Sequence, residues 1–194
     1  MKIVRLSVAL LALAALAGCS SPDEKAHEFG VWASTLEYVA SGDARPAGAA
    51  GLTAHLAVDG AISAGDLATL AETLRERADS QGIASPEINL IVGNAWGFSL
   101  DDERVNLATI NQLRDAPLLV GATIDYQPLE PSPGYTPGLQ ATVGSQAGLR
   151  DAPAELMAAY TGAGGALDGK AVSVATADGT GSIAGEGPAQ PDDA

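Results

Sequence analysis

Apolar and polar residues alternate along much of the chain in ways that predict strands and helices. Residues 52–58 (LTAHLAV) carry apolar side chains at every second position, which predicts a strand with one buried face. Ser63 and Asp66 then have the spacing of a capping box, and apolar residues recur at helical spacing as far as Ala78. The continuous apolar run at 88–92 predicts a buried strand after this helix.

The remaining elements follow from start and stop signals. Ser99, with Asp102 three residues later, predicts the start of a second helix, and Pro117 closes it before an apolar strand at 118–126. A third helix is predicted from Asp151, and a hairpin around Asp178-Gly179 pairs the last two strands. At the other end, alternation within 29–40 favours a strand, and the small residues of 41–51 favour a loop.

This order of elements predicts an α+β fold of one domain. Strand–helix–strand segments with short loops, followed by hairpins, are typical of a two-layer α/β sandwich of ferredoxin-like type with extra hairpin strands. We place the domain at residues 28–186, after a polar tether at 19–27 and before a disordered acidic tail at 187–194. The motif Leu-Ala-Thr-Leu/Ile at 67–70 and 107–110 supports tandem helix–strand units.

Residues 1–18 have the three parts of a secretory signal peptide. Lys2 and Arg5 give a basic start, residues 6–17 are apolar, and small residues follow. The apolar stretch is too short to cross a bilayer as a helix. The only cysteine of the chain, Cys19, comes directly after it.

The sequence Leu16-Ala17-Gly18-Cys19 resembles the lipobox of bacterial lipoproteins. This resemblance implies that the chain is cut before Cys19 and that the Cys19 thiol is diacylated, which leaves no thiol for catalysis or a disulfide. Two acyl chains are enough for stable membrane attachment, whereas one chain is marginal. We therefore expect a lipid-anchored protein on the extracytoplasmic face of the cell membrane. An ordinary signal peptide that happens to precede a cysteine is the alternative.

Charge restricts the partners of the domain. The whole chain has a formal net charge of −14, and removal of Lys2 and Arg5 with the signal peptide would leave 8 basic and 24 acidic residues. Such a charge argues against nucleic acid as a partner. We expect the membrane to be contacted through lipidated Cys19 and a protein of the cell envelope to be a partner, while the oligomeric state stays open.

No motif in the sequence indicates catalysis. His27 and His55 lack the spacing of a zinc site, no nucleophile elbow is present, and His55 is expected to face solvent from its strand. We predict no metal and no cofactor. The binding candidates are Trp96, which lies between two glycines, Tyr135 in the proline-rich connector of 127–138, and Asp125, which lies near that connector.

The function expected from the sequence is therefore a non-catalytic module that binds or organises something at the cell envelope. Two alternatives stay open. One is an envelope hydrolase that uses carboxylates, and the other is a small solute-binding lipoprotein.

Overall fold

Four consecutive helix–strand–strand units make up the described part of the chain. The structure is a computed structural model, and it describes residues 21–48, 51–129 and 135–187. The predicted signal peptide, Cys19 and residues 188–194 lie outside these ranges. The elements are α1 (Pro22–Ala33), β1 (Val39–Ala47), β2 (Gly51–Val58), α2 (Ala64–Ser80), β3 (Ser85–Val92), β4 (Trp96–Ser99), α3 (Glu103–Arg114), β5 (Leu119–Ile124), β6 (Gly138–Val143), a 3₁₀ helix (Gln146–Arg150), α4 (Ala152–Gly162), β7 (Ala171–Thr176) and β8 (Ser182–Glu186).

Helix α1 occupies a segment for which the sequence predicted a tether and then a strand. The Ser21 hydroxyl caps this helix by accepting a hydrogen bond from the Glu24 amide (3.2 Å). Ala26 and Phe29 of α1 are buried in the core. The predicted domain start at residue 28 is therefore wrong, because the part of α1 before that residue already packs into the core. At the other end, Gly187 is buried and bonded to the fold, so it is not part of a tail.

All eight strands form one mixed sheet in which neighbours in space are also neighbours along the chain. The parallel pairs β2–β3, β4–β5 and β6–β7 are each joined by a helix, and antiparallel hairpins lie between them. Buried apolar residues are register partners: Leu90 pairs with Phe98, Phe98 with Ile124, and Ile124 with Leu139. They therefore share one face, which we call the helix face because the helices pack on it. The opposite face is called the open face.

This architecture is the two-layer α/β sandwich of the α+β class that the sequence predicted. From β2 to β5 the elements follow the βαββαβ order of a ferredoxin-like fold, but the order of the strands in the sheet differs from that type, because the parallel partners β2–β3 and β4–β5 are direct neighbours. The other strands extend the sheet on both sides. The Ser63 half of the predicted capping box of α2 is confirmed, because the Ser63 hydroxyl accepts a hydrogen bond from the Asp66 amide (3.1 Å), while the Asp66 carboxylate accepts from that same hydroxyl (2.7 Å). Ser99 does not cap α3, since its hydroxyl bonds the Asp101 amide and Asp102 holds the N-cap position.

The chain contains two halves of the same topology, residues 22–99 and 103–186. Each half has the order helix, two strands, helix, two strands, and the pairing of β1–β4 is repeated by β5–β8. The strands β2 and β6 begin with the related sequences GLTAH and GLQAT, which makes Gly51 equivalent to Gly138 and His55 to Thr142. The halves differ most at one connection. Three residues join β1 to β2, whereas residues 125–137 join β5 to β6.

Candidate functional site

The open face carries a row of polar residues across the first four strands. Register places Asp43 of β1 beside His55, His55 beside Asn89, and Asn89 beside Ser99. Side chains of paired residues lie on the same face of a sheet, so these four residues form one continuous row. His55 is only 9% exposed and Asn89 is fully buried, although the four described helices pack on the other face.

Tyr126 provides the cover. It belongs to the segment between β5 and β6, of which residues 125–129 and 135–137 are described and are called the connector from here on. The centres of the Tyr126 and His55 rings are 5.9 Å apart, with the rings nearly perpendicular. Gly97 of β4 leaves room for the tyrosine, because a Cβ atom at that position would lie 3.1 Å from the Tyr126 ring. Tyr126 is also partly buried, and burial raises the pKa of its hydroxyl.

Two hydrogen bonds hold the connector against the sheet. The Gln127 amide donates to Oδ1 of Asn89 at 2.9 Å, which attaches the connector to the polar row. The Tyr135 hydroxyl donates a hydrogen bond to the carbonyl oxygen of Tyr126, and this bond holds the beginning and the end of the connector together. Tyr135 is half-buried, and its polar atom is used inside the protein. The hydroxyl therefore has a structural role in the folded connector.

Asp125 begins the connector and is held by a lysine. Nζ of Lys170 lies 2.6 Å from both carboxylate oxygens of Asp125, and it also lies 5.6 Å from the centre of the Tyr160 ring. Burial disfavours the ammonium ion, but hydrogen bonding and attraction to Asp125 outweigh this and raise the pKa of Lys170. Asp125 thus anchors one end of the connector as half of an ion pair.

Four buried polar atoms beneath and beside the connector have no hydrogen-bond partner among the described residues. They are the two ring nitrogens of His55, Nδ2 of Asn89 and Oγ1 of Thr123. A polar atom that is removed from water without a partner destabilises the fold by about 1–3 kcal/mol, so such atoms are rare unless a ligand or water binds them. Together they offer hydrogen-bond donors and acceptors on neutral side chains. We call His55, Asn89 and Thr123 the polar cluster. His55 and Asn89 are register partners on adjacent strands, whereas Thr123 lies two strands beyond Asn89, beside Gly97 and close to the Tyr126 ring.

Burial of His55 favours the neutral imidazole. Burial lowers the pKa of His55, which outweighs the opposite influence of the Glu87 and Asp43 carboxylates, and Arg45 lowers it further. The polar cluster therefore carries no charge at neutral pH. It suits an uncharged hydrogen-bonding group better than an ion.

This burial leads to a pH prediction: stability should fall as the pH drops below 6.5, the ordinary pKa of histidine. The unfolded chain then binds a proton to His55 at a pH where the folded chain does not. Above pH 6.5 the neutral His55 costs the fold nothing in free energy of unfolding. As the pH falls from 6.5 towards the lower pKa of the folded state, the free energy of unfolding decreases. Urea unfolding between neutral pH and about pH 5 should show a steeper loss of stability in the wild type than in His55→Gln. Equal slopes would contradict the prediction.

The structure brings together some of the residues that the sequence singled out and separates others. Asp125 and Tyr135 both hold the connector, whereas Trp96 lies on the helix face, paired with Val92 and Ala122 and packed against the core. The prediction that His55 faces solvent is wrong. His55 does point away from the helices, but the connector buries it. The expectation that His27 lies in a tether is also wrong, because it belongs to α1.

The described residues show no metal centre and no membrane-spanning element. No group of three or more histidine, cysteine, aspartate or glutamate side chains within them could hold a metal ion. None of their helices combines the length and apolar character needed to cross a membrane. A cleft of about 490 Å³ lies at the sheet end where β2 and β3 begin, lined among others by Arg75, Glu87 and Asp101. Arg75 there pairs with Glu103 at 2.6 Å.

No family model, curated protein or solved structure matches this chain. A function must therefore be argued from its own residues.

Proposed function

We propose that this chain is a lipid-anchored extracytoplasmic binding module whose site is the polar cluster of the open face and the connector over it. The anchor is Cys19 within the lipobox-like sequence, and the partner is a component of the cell envelope. The module binds and does not catalyse a reaction.

One observation carries the proposal: His55, Asn89 and Thr123 hold buried polar atoms without partners among the described residues. Their neutral donors and acceptors would be satisfied by a hydrogen-bonding group of a partner. The connector is attached to this cluster through Asn89, so a partner that bonds the cluster also contacts the connector. Prolines within the connector reduce the entropy lost when it is ordered in a complex.

The arrangement supports binding more than acid–base catalysis. Catalysis by carboxylates needs two of them in one cleft with separated pKa values. Asp125 is paired with Lys170 instead, and the polar cluster itself contains no carboxylate. A hydrolytic activity that Asp125→Asn abolishes would favour the envelope hydrolase over the binding module.

Capture of a partner from membranes tests the proposal. With the full-length anchored chain as bait, we expect His55→Ala to weaken recovery of the partner about tenfold, because about 1.4 kcal/mol is lost with one buried hydrogen bond. The matched control is Thr142→Ala, since Thr142 is the equivalent residue of the second half and is only partly buried. Tyr135→Ala should also weaken capture, because it frees the connector.

Thermal unfolding of the same variants separates binding from folding. The proposal requires His55→Ala to remain folded at the temperature of the capture experiment. Recovery of the same partner in equal amounts by wild type, His55→Ala and Thr142→Ala would exclude the polar cluster as the binding site.

A further inference from the structure

The proposed lipid anchor lies very close to the fold. Ser21 is the N-cap of α1, so Ser20 is the only residue between it and Cys19. Consecutive Cα atoms are about 3.8 Å apart, which limits the distance between the Cα atoms of Cys19 and Ser21 to about 7.6 Å. A lipid on Cys19 would therefore hold the domain directly at the bilayer surface, without the tether that the sequence predicted.

The start of α1 is fixed to the rest of the domain. Ala26 is 1% exposed and Phe29 is fully buried, so the first turns of the helix already pack on the core. Nζ of Lys25 donates a hydrogen bond to the carbonyl oxygen of Gln81 (3.0 Å), which comes directly after α2. The position at which the anchor joins the domain surface is therefore defined.

This position lies at the end of the sheet where β2 and β3 begin. Gln81 precedes Ser85, the first residue of β3, and Ser85 pairs with Gly51, the first residue of β2. Ala47, the last residue of β1, also pairs with Gly51. We call the start of α1, the end of α2 and these strand ends the anchor end. The opposite ends of β2 and β3 are seven residues further on, about 23 Å away.

The cleft of about 490 Å³ opens at the anchor end. Its lining combines the strand ends with the apolar residues Ile88 and Leu100 and with the carboxylates of Glu87 and Asp101. Oε2 of Glu87 accepts a hydrogen bond from the Thr53 hydroxyl (2.9 Å). The anchor end is thus not a flat surface, and its recess can receive part of a headgroup from a lipid layer next to it.

Acidic side chains outnumber basic ones among the described residues of the anchor end and the cleft. Because Cys19 lies within about 7.6 Å of Ser21, the headgroups beside the anchor lie within the Debye length of about 10 Å at 0.1 M salt. Anionic headgroups are therefore repelled by this surface, whereas zwitterionic headgroups offer it an ammonium group. The acidic residues are Asp23, Glu24, Asp79, Glu87 and Asp101, and the basic ones are Lys25, Arg75 and Arg77.

We propose that the anchor end lies against the headgroup layer of the membrane that holds the acyl chains of Cys19. The partner of this surface is the bilayer itself, and zwitterionic headgroups fit it better than anionic ones. The opposite ends of β2 and β3 then point away from the membrane. Because the contact needs the acylated Cys19, it rests on the proposed function and adds the orientation of the domain to it.

Fluorescence quenching in vesicles tests the orientation. Ala84→Cys and Ala61→Cys are purified as full-length, lipid-modified chains, and the new thiol is labelled with a fluorophore. The vesicles contain phosphatidylethanolamine and phosphatidylcholine, and a fraction of the headgroups carries a nitroxide quencher. Ala84 lies just before β3 at the anchor end, and Ala61 is the matched control, because it is also an exposed alanine and follows β2 at the opposite end. We expect the label at residue 84 to be quenched at least threefold more than the label at residue 61.

A longer link between anchor and domain tests the reason for this orientation. Ten glycine and serine residues inserted between Ser20 and Ser21 keep the anchor and give the link an average reach of about 17 Å. The insertion should reduce the difference in quenching between the two labels by at least half. An unchanged difference would overturn the proposal that the short link holds the anchor end at the headgroups.

Flotation of the same chains with the vesicles separates the orientation from the anchor. Equal quenching at residues 84 and 61 in a chain that floats would overturn the orientation and leave the proposed anchor in place. A chain that carries no acyl groups and does not float would overturn both.

The charge of the headgroups provides a second measurement. Replacement of phosphatidylethanolamine by phosphatidylglycerol should lower the quenching at residue 84 at 0.01 M salt, where the Debye length is about 30 Å. Salt at 1 M should restore it, because the Debye length then falls to about 3 Å. Stronger quenching in phosphatidylglycerol at low salt would exclude the preference for zwitterionic headgroups.

Discussion

Replacing Cys19 by serine should abolish the incorporation of labelled palmitate into the chain. A serine hydroxyl cannot replace the thiol in the acylation that the lipobox resemblance implies. The loss of two acyl chains removes many buried methylene groups, each worth about 0.8 kcal/mol of membrane binding. We therefore expect Cys19→Ser to accumulate as an uncleaved, unlabelled precursor, measured by radiolabelling and by its mobility in gels.

Ser20→Ala is the matched control for this experiment, because it changes the next residue and keeps the thiol. It should be labelled and processed as the wild type is. Labelling of Cys19→Ser to the level of the wild type would exclude lipidation at this residue. The protein would then be secreted without a lipid anchor, and the proposed binding site would have to act away from the membrane.

Truncating Phe98 should cause the largest loss of stability among single substitutions in β4. Phe98 is fully buried on the helix face and lies between Leu90 and Ile124 of the two neighbouring strands. Removal of a buried phenylalanine ring leaves a cavity, and Phe98→Ala should lower the free energy of unfolding by about 3–5 kcal/mol. That is a large share of the roughly 5–15 kcal/mol by which a domain is stable.

Urea unfolding followed by circular dichroism measures this change. Leu118→Ala is the control, because Leu118 is an exposed apolar residue next to β5 and its truncation should cost less than about 0.5 kcal/mol. Similar unfolding midpoints for Phe98→Ala and Leu118→Ala would show that the Phe98 ring is not buried between Leu90 and Ile124.

The sequence predicted best those elements whose residues carry the pattern of a buried face. Helix α2 has both a capping box and an apolar stripe, and it forms where it was expected. Strand β1 shows the opposite case, because its small and polar residues were interpreted as a loop. It is an edge strand that pairs with β2 through backbone hydrogen bonds, and Asp43 and Arg45 on it form an exposed ion pair. An edge strand of this kind needs no apolar alternation.

The candidate site could be predicted only in part, because it depends on a contact distant in sequence. The proline-rich connector was recognised from its composition, and Asp125 and Tyr135 were selected with it. Nothing local to His55 shows that Tyr126, 71 residues further along the chain, covers it. Gly97 is a sequence feature that fits the contact, since it leaves room on β4 for the Tyr126 ring, but its glycine alone does not identify that partner.

The agreement between strand order and chain order has a consequence for how the protein folds. Each strand pairs with the strand made just before it, so the longest closures are the helical crossovers, such as the 34 residues between the partners Gly51 and Ser85, and folding at the intermediate rate of mixed α/β domains is expected. A chain that emerges N-terminus first, from a ribosome or through a translocation channel, can add one unit after another to a growing template, as repeat proteins do. Under hydrogen exchange the last strand added, β8, should therefore open before the strands at the centre.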